Sequence, residues 1–583
     1  MMLQIKAQLA ENILGGILSI APECGMDTDA VLSLMEYPPD AAMGDIAIPC
    51  FKLAKTLRRS PVQIADTLAP LVKGDAIDRA EAVNGYLNIY LSDAYLANAV
   101  IPEILEKKEL YGAPDLGQGK TVVLDYSSPN VAKPFHIGHL GTTVIGHSLK
   151  RLHEFAGYKC VGINYLGDWG TQFGKLIVAY NLWGDRATIE AGGVDELVKL
   201  YVKINNAISG NEAEGIAPNA ELADQARAEF RKMEEGDPDN IALWKWFVQI
   251  SLDEYQKTYK QLDITFDSYK GESFYTDKMP AQVQKLRDMG LMKIDDGASI
   301  VDLEEYGMPP CLILKRDGST LYPTRDIAAA VYRKGEYDFD KCIYVTSNQQ
   351  ILHFQQWFKV VELMGYEWHK GLVHIPYGTV SINGAKLATR TGNVVLLKDL
   401  FAAAIEKVTE IMEEKNPALK GRADIAEAVG VGAIVFYYLS NNRIKDINFN
   451  MDDALSFDGN TGPYVQYTYA RACSILEKAA ASGDGACAVD HITVTDPLEK
   501  DLCKVLSQYE ERVRLALRDY EPSVITRYIL DVATTFNRFY HDCAIFSAED
   551  PAVKATRLAL TEATKHVLGS AFGLICLRKT EKI

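Results

Sequence analysis

One stretch constrains the fold of this chain more than any other: Val122-Val-Leu-Asp-Tyr-Ser-Ser-Pro-Asn-Val-Ala-Lys-Pro-Phe-His-Ile-Gly-His139. The uninterrupted apolar start reads as a strand buried on both faces. A polar Ser-Ser-Pro-Asn loop follows. Pro134 then stands ahead of a helix that starts near His136, whose Ile137, Leu140, Val144, Leu149 and Leu152 recur at helical spacing and face a sheet. A buried strand that turns straight into an amphipathic helix is the first half of a parallel crossover. It commits this part of the chain to a parallel sheet with covering helices.

The downstream pattern repeats that logic. Residues 159–167 and 341–348 read as strands, and residues 171–183 and 351–366 as helices. A long, acidic, mostly helical insertion at about 185–310 interrupts the alternation. Upstream, residues 1–112 mix helices with short strands. Residues 2–14 form an amphipathic helix with Leu3, Ile5, Leu9, Ile13 and Leu14 near one face, and residues 81–92 a strand with partial alternation. The Gly- and Pro-rich segment 113–120 reads as a linker. Downstream, residues 401–452 read as a helical junction and 453–583 as almost wholly helical. A chain of 583 residues exceeds what one core can organise, so about three or four domains are expected.

His136 and His139 are three apart and share one face of the first helical turn. Gly138 between them leaves backbone bare for a flat base to stack on. The free N–H groups of the helix start suit a phosphate, and two imidazole donors suit the negative charge that builds on phosphate oxygens during displacement. An isolated His-x-Gly-His reads more readily as two surface histidines. Here it sits in the first βα turn of an alternating region, just after Lys133, and such turns at the carboxyl ends of strands are where open parallel sheets bind ligands.

The remaining composition narrows the setting. No window is apolar enough for a membrane span, and the first residues lack the basic start of a signal peptide, so a cytoplasmic protein without membrane attachment is expected. Ten cysteines are scattered with no CxxC pair, which argues against a disulfide framework or a zinc site. A net charge of −17 argues against nonspecific polyanion binding, but not against an RNA docked on local basic patches.

A parallel sheet with His-x-Gly-His at its first crossover resembles the class I aminoacyl-tRNA synthetases, and the finer motifs resemble the arginyl-tRNA synthetases. Those motifs are residues 127–139, Leu-Gly-Asp-Trp-Gly-Thr-Gln-Phe-Gly at 166–174, Tyr-Pro-Thr-Arg-Asp at 322–326 and residues 344–356, with further matches near the N-terminus and from Gly459 to Arg471. The resemblance implies a multidomain α/β protein. Its parts would be an N-terminal α+β domain (1–112) that meets the tRNA corner, a Rossmann-type catalytic domain (113–400), the helical junction, and an all-α anticodon-binding bundle (453–583). It implies a monomer that activates L-arginine with ATP, carried with Mg²⁺ and with no metal ligands from protein alone, and transfers it to tRNA(Arg). Activation would wait for bound tRNA.

The resemblance also implies residue roles. Lys133, His136, Ile137, Gly138, His139 and Lys386 would bind ATP, with Lys133, His136, His139, Lys386 and Arg390 catalytic. Asp125 and Asp326 would grip the guanidinium beside Tyr322, because paired carboxylate hydrogen bonds match its planar charge. Ser128, Asn130 and Gln350 would orient the amino acid's other groups. Arg58 and Arg59, with Tyr464, Tyr467 and Arg471, would touch tRNA. Three departures stand out: Gly141 where the family has Arg, and Leu387 and Thr391 in the second phosphate loop. They leave room for a rival reading, a synthetase-like tRNA-binding regulator that has lost activation.

Overall fold

The computed structural model describes all residues except 212–214, 383–384, 387–394, 416–420 and 484–491, and the side chains of Ala41, Ala385, Lys386 and Lys415. The N-terminal part packs helix Pro61–Leu68 on an antiparallel sheet of Ile46–Pro49, Tyr86–Leu91 and Ile77–Val83, and helix Met2–Ile20 packs on Thr28–Leu34 and Pro61–Leu68. Ile5, Leu9, Ile13 and Ile17 are the buried stripe of helix Met2–Ile20; Leu3 and Leu14 lie half-buried at its edge. Residues 81–92, expected as one strand, are a hairpin instead. Asn84 and Gly85 both take positive φ, 51° and 82°, which is the conformation an Asn-Gly hairpin turn requires. Tyr86–Leu91 is the central strand of its sheet, so its inner residues are buried on both sides and the alternation is lost.

The parallel sheet expected from the alternation is present. Its order is Leu372–Tyr377, Lys341–Ser347, Thr121–Asp125, Lys159–Ile163, and every neighbouring pair is parallel. The chain goes from Thr121–Asp125 to Lys159–Ile163 on one side through helix Leu140–Phe155, then returns to Lys341–Ser347 on the other side. The strand order therefore reverses at Thr121–Asp125, and a crevice opens at its carboxyl end. Between the two sides lies an excursion of helices Thr171–Trp183, Val194–Ser209, Ala220–Glu234 and Pro238–Gln261, closed by short antiparallel strands Met292–Asp295, Ala298–Val301 and Cys311–Leu314.

The regular elements described beyond Leu397 are helices, apart from the strand Ile447–Phe449, which pairs in parallel with Val380–Ile382. The helix Leu140–Phe155 is buried along almost its whole length. It packs on the sheet and on helices Arg422–Leu439, Tyr509–Asp519 and Pro551–Leu574, and Ser148 Oγ donates to the Leu574 carbonyl at 2.7 Å. Among the described residues no helix is long and apolar enough to cross a membrane.

Candidate active site

The strand Thr121–Asp125 delivers Asp125 to the crevice, and the loop after it is strained. Ser127, Ser128 and Ala132 hold φ of 70°, 47° and 57°, a region that non-glycine residues avoid. Hydrogen bonds hold them there. The Ser127 hydroxyl lies 2.8 Å from that of Thr143 and 2.7 Å from that of Tyr259. Ser128 Oγ donates to Asp125 Oδ1 at 2.9 Å and accepts from the Tyr165 N–H. The Ala132 N–H donates to Ser251 Oγ, and Tyr255 Oη to the Asn130 and Lys133 carbonyls. Strain kept at a site by so many bonds is characteristic of functional loops.

His136 and His139 follow, in a tight turn that leads into helix Leu140–Phe155. The backbone N–H groups expected to be free for phosphate are not free. Gly138 N–H donates to His136 Nδ1 at 3.0 Å, and His136 N–H to His139 Nδ1 at 3.2 Å. Ile137 and His139 N–H donate to the Val395 and His136 carbonyls. The two histidines cap the helix themselves. Because both Nδ1 atoms accept, each neutral ring carries its proton on Nε2. Burial, with the nearby Lys133 charge, pushes His136 down to about 4; burial and His136 push His139 down to about 3. The turn thus offers two neutral Nε2–H donors, their rings 3.9 Å apart. Burial also lowers the Lys133 ammonium.

Two backbone bonds tie this turn to the far side of the chain: Ile137 N–H to Val395 O at 3.1 Å and Leu397 N–H to Phe135 O at 3.0 Å. Val395–Leu397 closes the predicted second phosphate loop. Of that loop's candidates, Arg390, Leu387 and Thr391 lie outside the described residues, and Lys386 is placed only by its backbone in strand Ala385–Lys386.

Gly141 is explained by packing. A Cβ there would come 2.2 Å from Tyr438 Oη and 3.0 Å from the Tyr377 ring, so the position is closed to a side chain. The two tyrosines fill the space that a side chain at 141 would need.

A cavity of about 610 Å³ lies beside the turn. Asp125, Ser128, Asn130, Tyr322, Asp326 and Gln350, all expected, line it together with His139. Tyr322 and Asp326 sit on the first turn of helix Tyr322–Tyr337, four apart and so on one face. The structure differs on Asp125: its Oδ2 is paired with the buried Arg333 at 2.8 Å and its Oδ1 holds Ser128. Both oxygens already have partners, so Asp125 is not a free fork for a guanidinium.

Glu272, which sequence reasoning missed, is the third acid of the cavity. It pairs with Arg325 at 2.6 Å, and burial pushes it up to about 7 against that pull. Asp326 is held by His353 Nε2 at 2.6 Å through one oxygen only. No local motif marks Glu272. His353 lies inside the motif at 344–356 but was not singled out there.

The other expected RNA contacts separate. Arg58 and Arg59 are exposed, Arg58 at the left-handed end of a short helix. Tyr467 is exposed, and the Arg471 guanidinium lies over the rings of Tyr467 and Tyr540 at 4.9 and 5.0 Å. Tyr464 instead turns inward, its hydroxyl accepting from Asn537 at 3.0 Å.

Comparison with known proteins agrees along the whole chain. The family model for class I (R) tRNA synthetase catalytic domains matches residues 100–451, the arginyl tRNA synthetase N-terminal domain 4–91, and the DALR anticodon binding domain 465–583. The arginine–tRNA ligase of Alkaliphilus metalliredigens is 50% identical over 563 residues, 96% of this chain and 97% of that protein. That of Clostridioides difficile is 48% identical over the same shares. The solved arginyl-tRNA synthetases of Thermus thermophilus and Plasmodium falciparum share the fold, each with a TM-score of 0.80 at 23% identity; they cover 98% and 99% of this chain, and 99% of each solved chain is matched.

Proposed function

The chain belongs to the arginyl-tRNA synthetase family, an ATP-dependent arginine–tRNA ligase like its relatives, and from that footing we propose how its residues carry out the reaction. In the first step an oxygen of the arginine carboxylate attacks the α-phosphorus of ATP. The bond to the bridging oxygen breaks, pyrophosphate leaves, and arginyl-adenylate remains. In the second step a terminal ribose hydroxyl of tRNA(Arg) attacks the arginyl carbonyl, and AMP leaves with the bonding pair.

The His136 and His139 Nε2–H groups donate to the phosphates and need no proton exchange, because both rings are neutral at working pH. Lys133 adds charge beside the triphosphate, and the family resemblance assigns the same role to Lys386 and Arg390. Mg²⁺ enters with ATP. A cation held through the triphosphate needs no dedicated cage of protein side chains.

Among the described residues, Asp326 and Glu272 each keep one oxygen without a protein partner, and they face the guanidinium with Tyr322 beside them. Asp125, Ser128, Asn130 and Gln350 take the ammonium and carboxylate end. Two of the three cavity acids have arginine partners in the protein, Asp125–Arg333 and Glu272–Arg325. Asp326 is left as the unbalanced charge, which matches the single net positive charge of arginine.

The observation that carries this reading is the neutral, tautomer-fixed histidine pair opening on a cavity with acids at its floor. The test is ATP–pyrophosphate exchange with tRNA(Arg) present, comparing arginine with lysine. Exchange with arginine alone is expected. Equal exchange with lysine would overturn the acid assignment, and none with either would overturn activation itself.

A further inference from the structure

Arg333 is a charge with no place in the reaction as described. It is fully buried, out of reach of any substrate, on the same helix face as Asp326 two turns earlier. Its Nη2 lies 2.8 Å from Asp125 Oδ2. Its guanidinium lies over three tyrosine rings, Tyr165 at 5.1 Å, Tyr344 at 5.5 Å and Tyr275 at 5.9 Å. Cys342 is the other ionisable group near it, and Asp326 is the nearest further acid to Asp125. An arginine this deep is costly unless paired, and the aromatic faces and one carboxylate are what it has.

We propose that Arg333 is a positioning residue for arginine recognition, acting wholly through Asp125. Resting on the assignment of the cavity to arginine, it explains how a carboxylate at a buried strand end is held in one orientation, with a cation to offset part of the cost of its burial. Burial pushes the Asp125 carboxyl up, and the adjacent guanidinium, which is never neutral, opposes that push. A charged Asp125 accepts from Ser128 Oγ and leaves that oxygen turned to the Tyr165 N–H, so the strained Ser127–Ser128 turn keeps its shape. It also presents a negative edge to the amino acid's ammonium. Without Arg333 the same carboxyl would lose its fixed partner, and with it its orientation toward the ammonium and its hold on Ser128. Because Asp326 rides the same helix, one rigid element sets both charges that the substrate's two cationic ends meet.

The test is a double-substitution cycle read by steady-state exchange in the full-length enzyme with tRNA present. Arg333→Met, which keeps the length and loses the charge, is expected to raise KM for arginine at least tenfold while KM for ATP stays within twofold. Asp125→Asn is expected to do the same, and the double variant to be no worse than either single one. Multiplying effects, an equal rise in KM for ATP, or an unchanged KM for arginine would each overturn the proposal. Should Arg333→Met not fold, Arg333→Lys replaces it in titration calorimetry with arginine. Weakened binding that disappears in the Asp125→Asn background supports the proposal; equal weakening in both backgrounds overturns it. If the wild-type enzyme showed no arginine-dependent exchange, the failure would lie with the substrate assignment instead.

Discussion

Gly141 and Tyr438 touch so closely that the tyrosine hydroxyl occupies the place of a Cβ, 2.2 Å from where that atom would be. The contact joins the helix of the histidine turn to helix Arg422–Leu439. Alanine at 141 would gain about 1 kcal/mol in helix propensity. Overpacking a full core costs about 1–3 kcal/mol, so the clash wins. Gly141→Ala is expected to lower the thermal unfolding midpoint, and Tyr438→Phe in the same chain to restore part of it. An unchanged midpoint for Gly141→Ala would show that the tyrosine moves freely.

His136→Ala and His139→Ala each remove a positioned donor from the phosphates. By analogy with loss of one preorganised donor, activation should slow by about 2–4 kcal/mol, or roughly thirty- to a thousandfold in kcat. Each change also leaves a backbone N–H of the turn without its acceptor, so circular dichroism should accompany the kinetics. Full activity in either variant would remove that histidine from the mechanism.

The buried His147 and His153 are pushed down by burial to about 3 and about 4. A folded value below the unfolded one means that the unfolded chain binds the extra proton. Stability is therefore complete above about pH 7 and lost as pH falls from 6.5 towards 4. Each residue accounts for about 2 kcal/mol at pH 5. Denaturant titration at pH 7.5 and 5.0 should show that loss, with a smaller one in His147→Gln. A flat profile would contradict the burial argument.

Glu272, held near 7, is half-protonated at neutral pH. A guanidinium binds its ionised form, so KM for arginine should fall as pH rises from 6 to 8, by up to about tenfold per unit below 7. Glu272→Gln should raise KM and flatten that slope. Retention of the slope would assign it to another group.

Tyr467 and Tyr464 should behave differently. Tyr467 is exposed beneath the Arg471 guanidinium, and its loss should raise KM for tRNA by about 1–3 kcal/mol if a base stacks there, with KM for arginine unchanged. Tyr464→Phe breaks its bond to Asn537 and should lower thermal stability rather than tRNA affinity. Equal effects of both on tRNA would place the RNA elsewhere.

How far the sequence reached depends on distance along the chain. The strand, the loop and the histidine turn are contiguous, so periodicity and spacing were enough to place His136 and His139 at the head of a parallel sheet. Asp125 could be placed at a strand end, but not its partner: Arg333 stands on a helix reached only after the long excursion, and pairing is a property of three-dimensional return. Glu272 was hidden for the same reason, whereas His353 sat in a recognised motif with its bond to Asp326 unread. The occupied N–H groups of the turn were invisible too, because the expectation counted backbone donors without the histidines' own Nδ1 atoms. Asn84-Gly85 was legible as a hairpin turn and was read through as strand.

The backbone bonds between Phe135–Ile137 and Val395–Leu397 have a consequence in time. They close a loop of about 260 residues, and such closures form late because the intervening chain must first be ordered. On a ribosome adding roughly 5–20 residues each second, the turn would emerge tens of seconds before the segment that finishes it. A nascent chain stopped before Val395 would hold both histidines and still have no completed phosphate site.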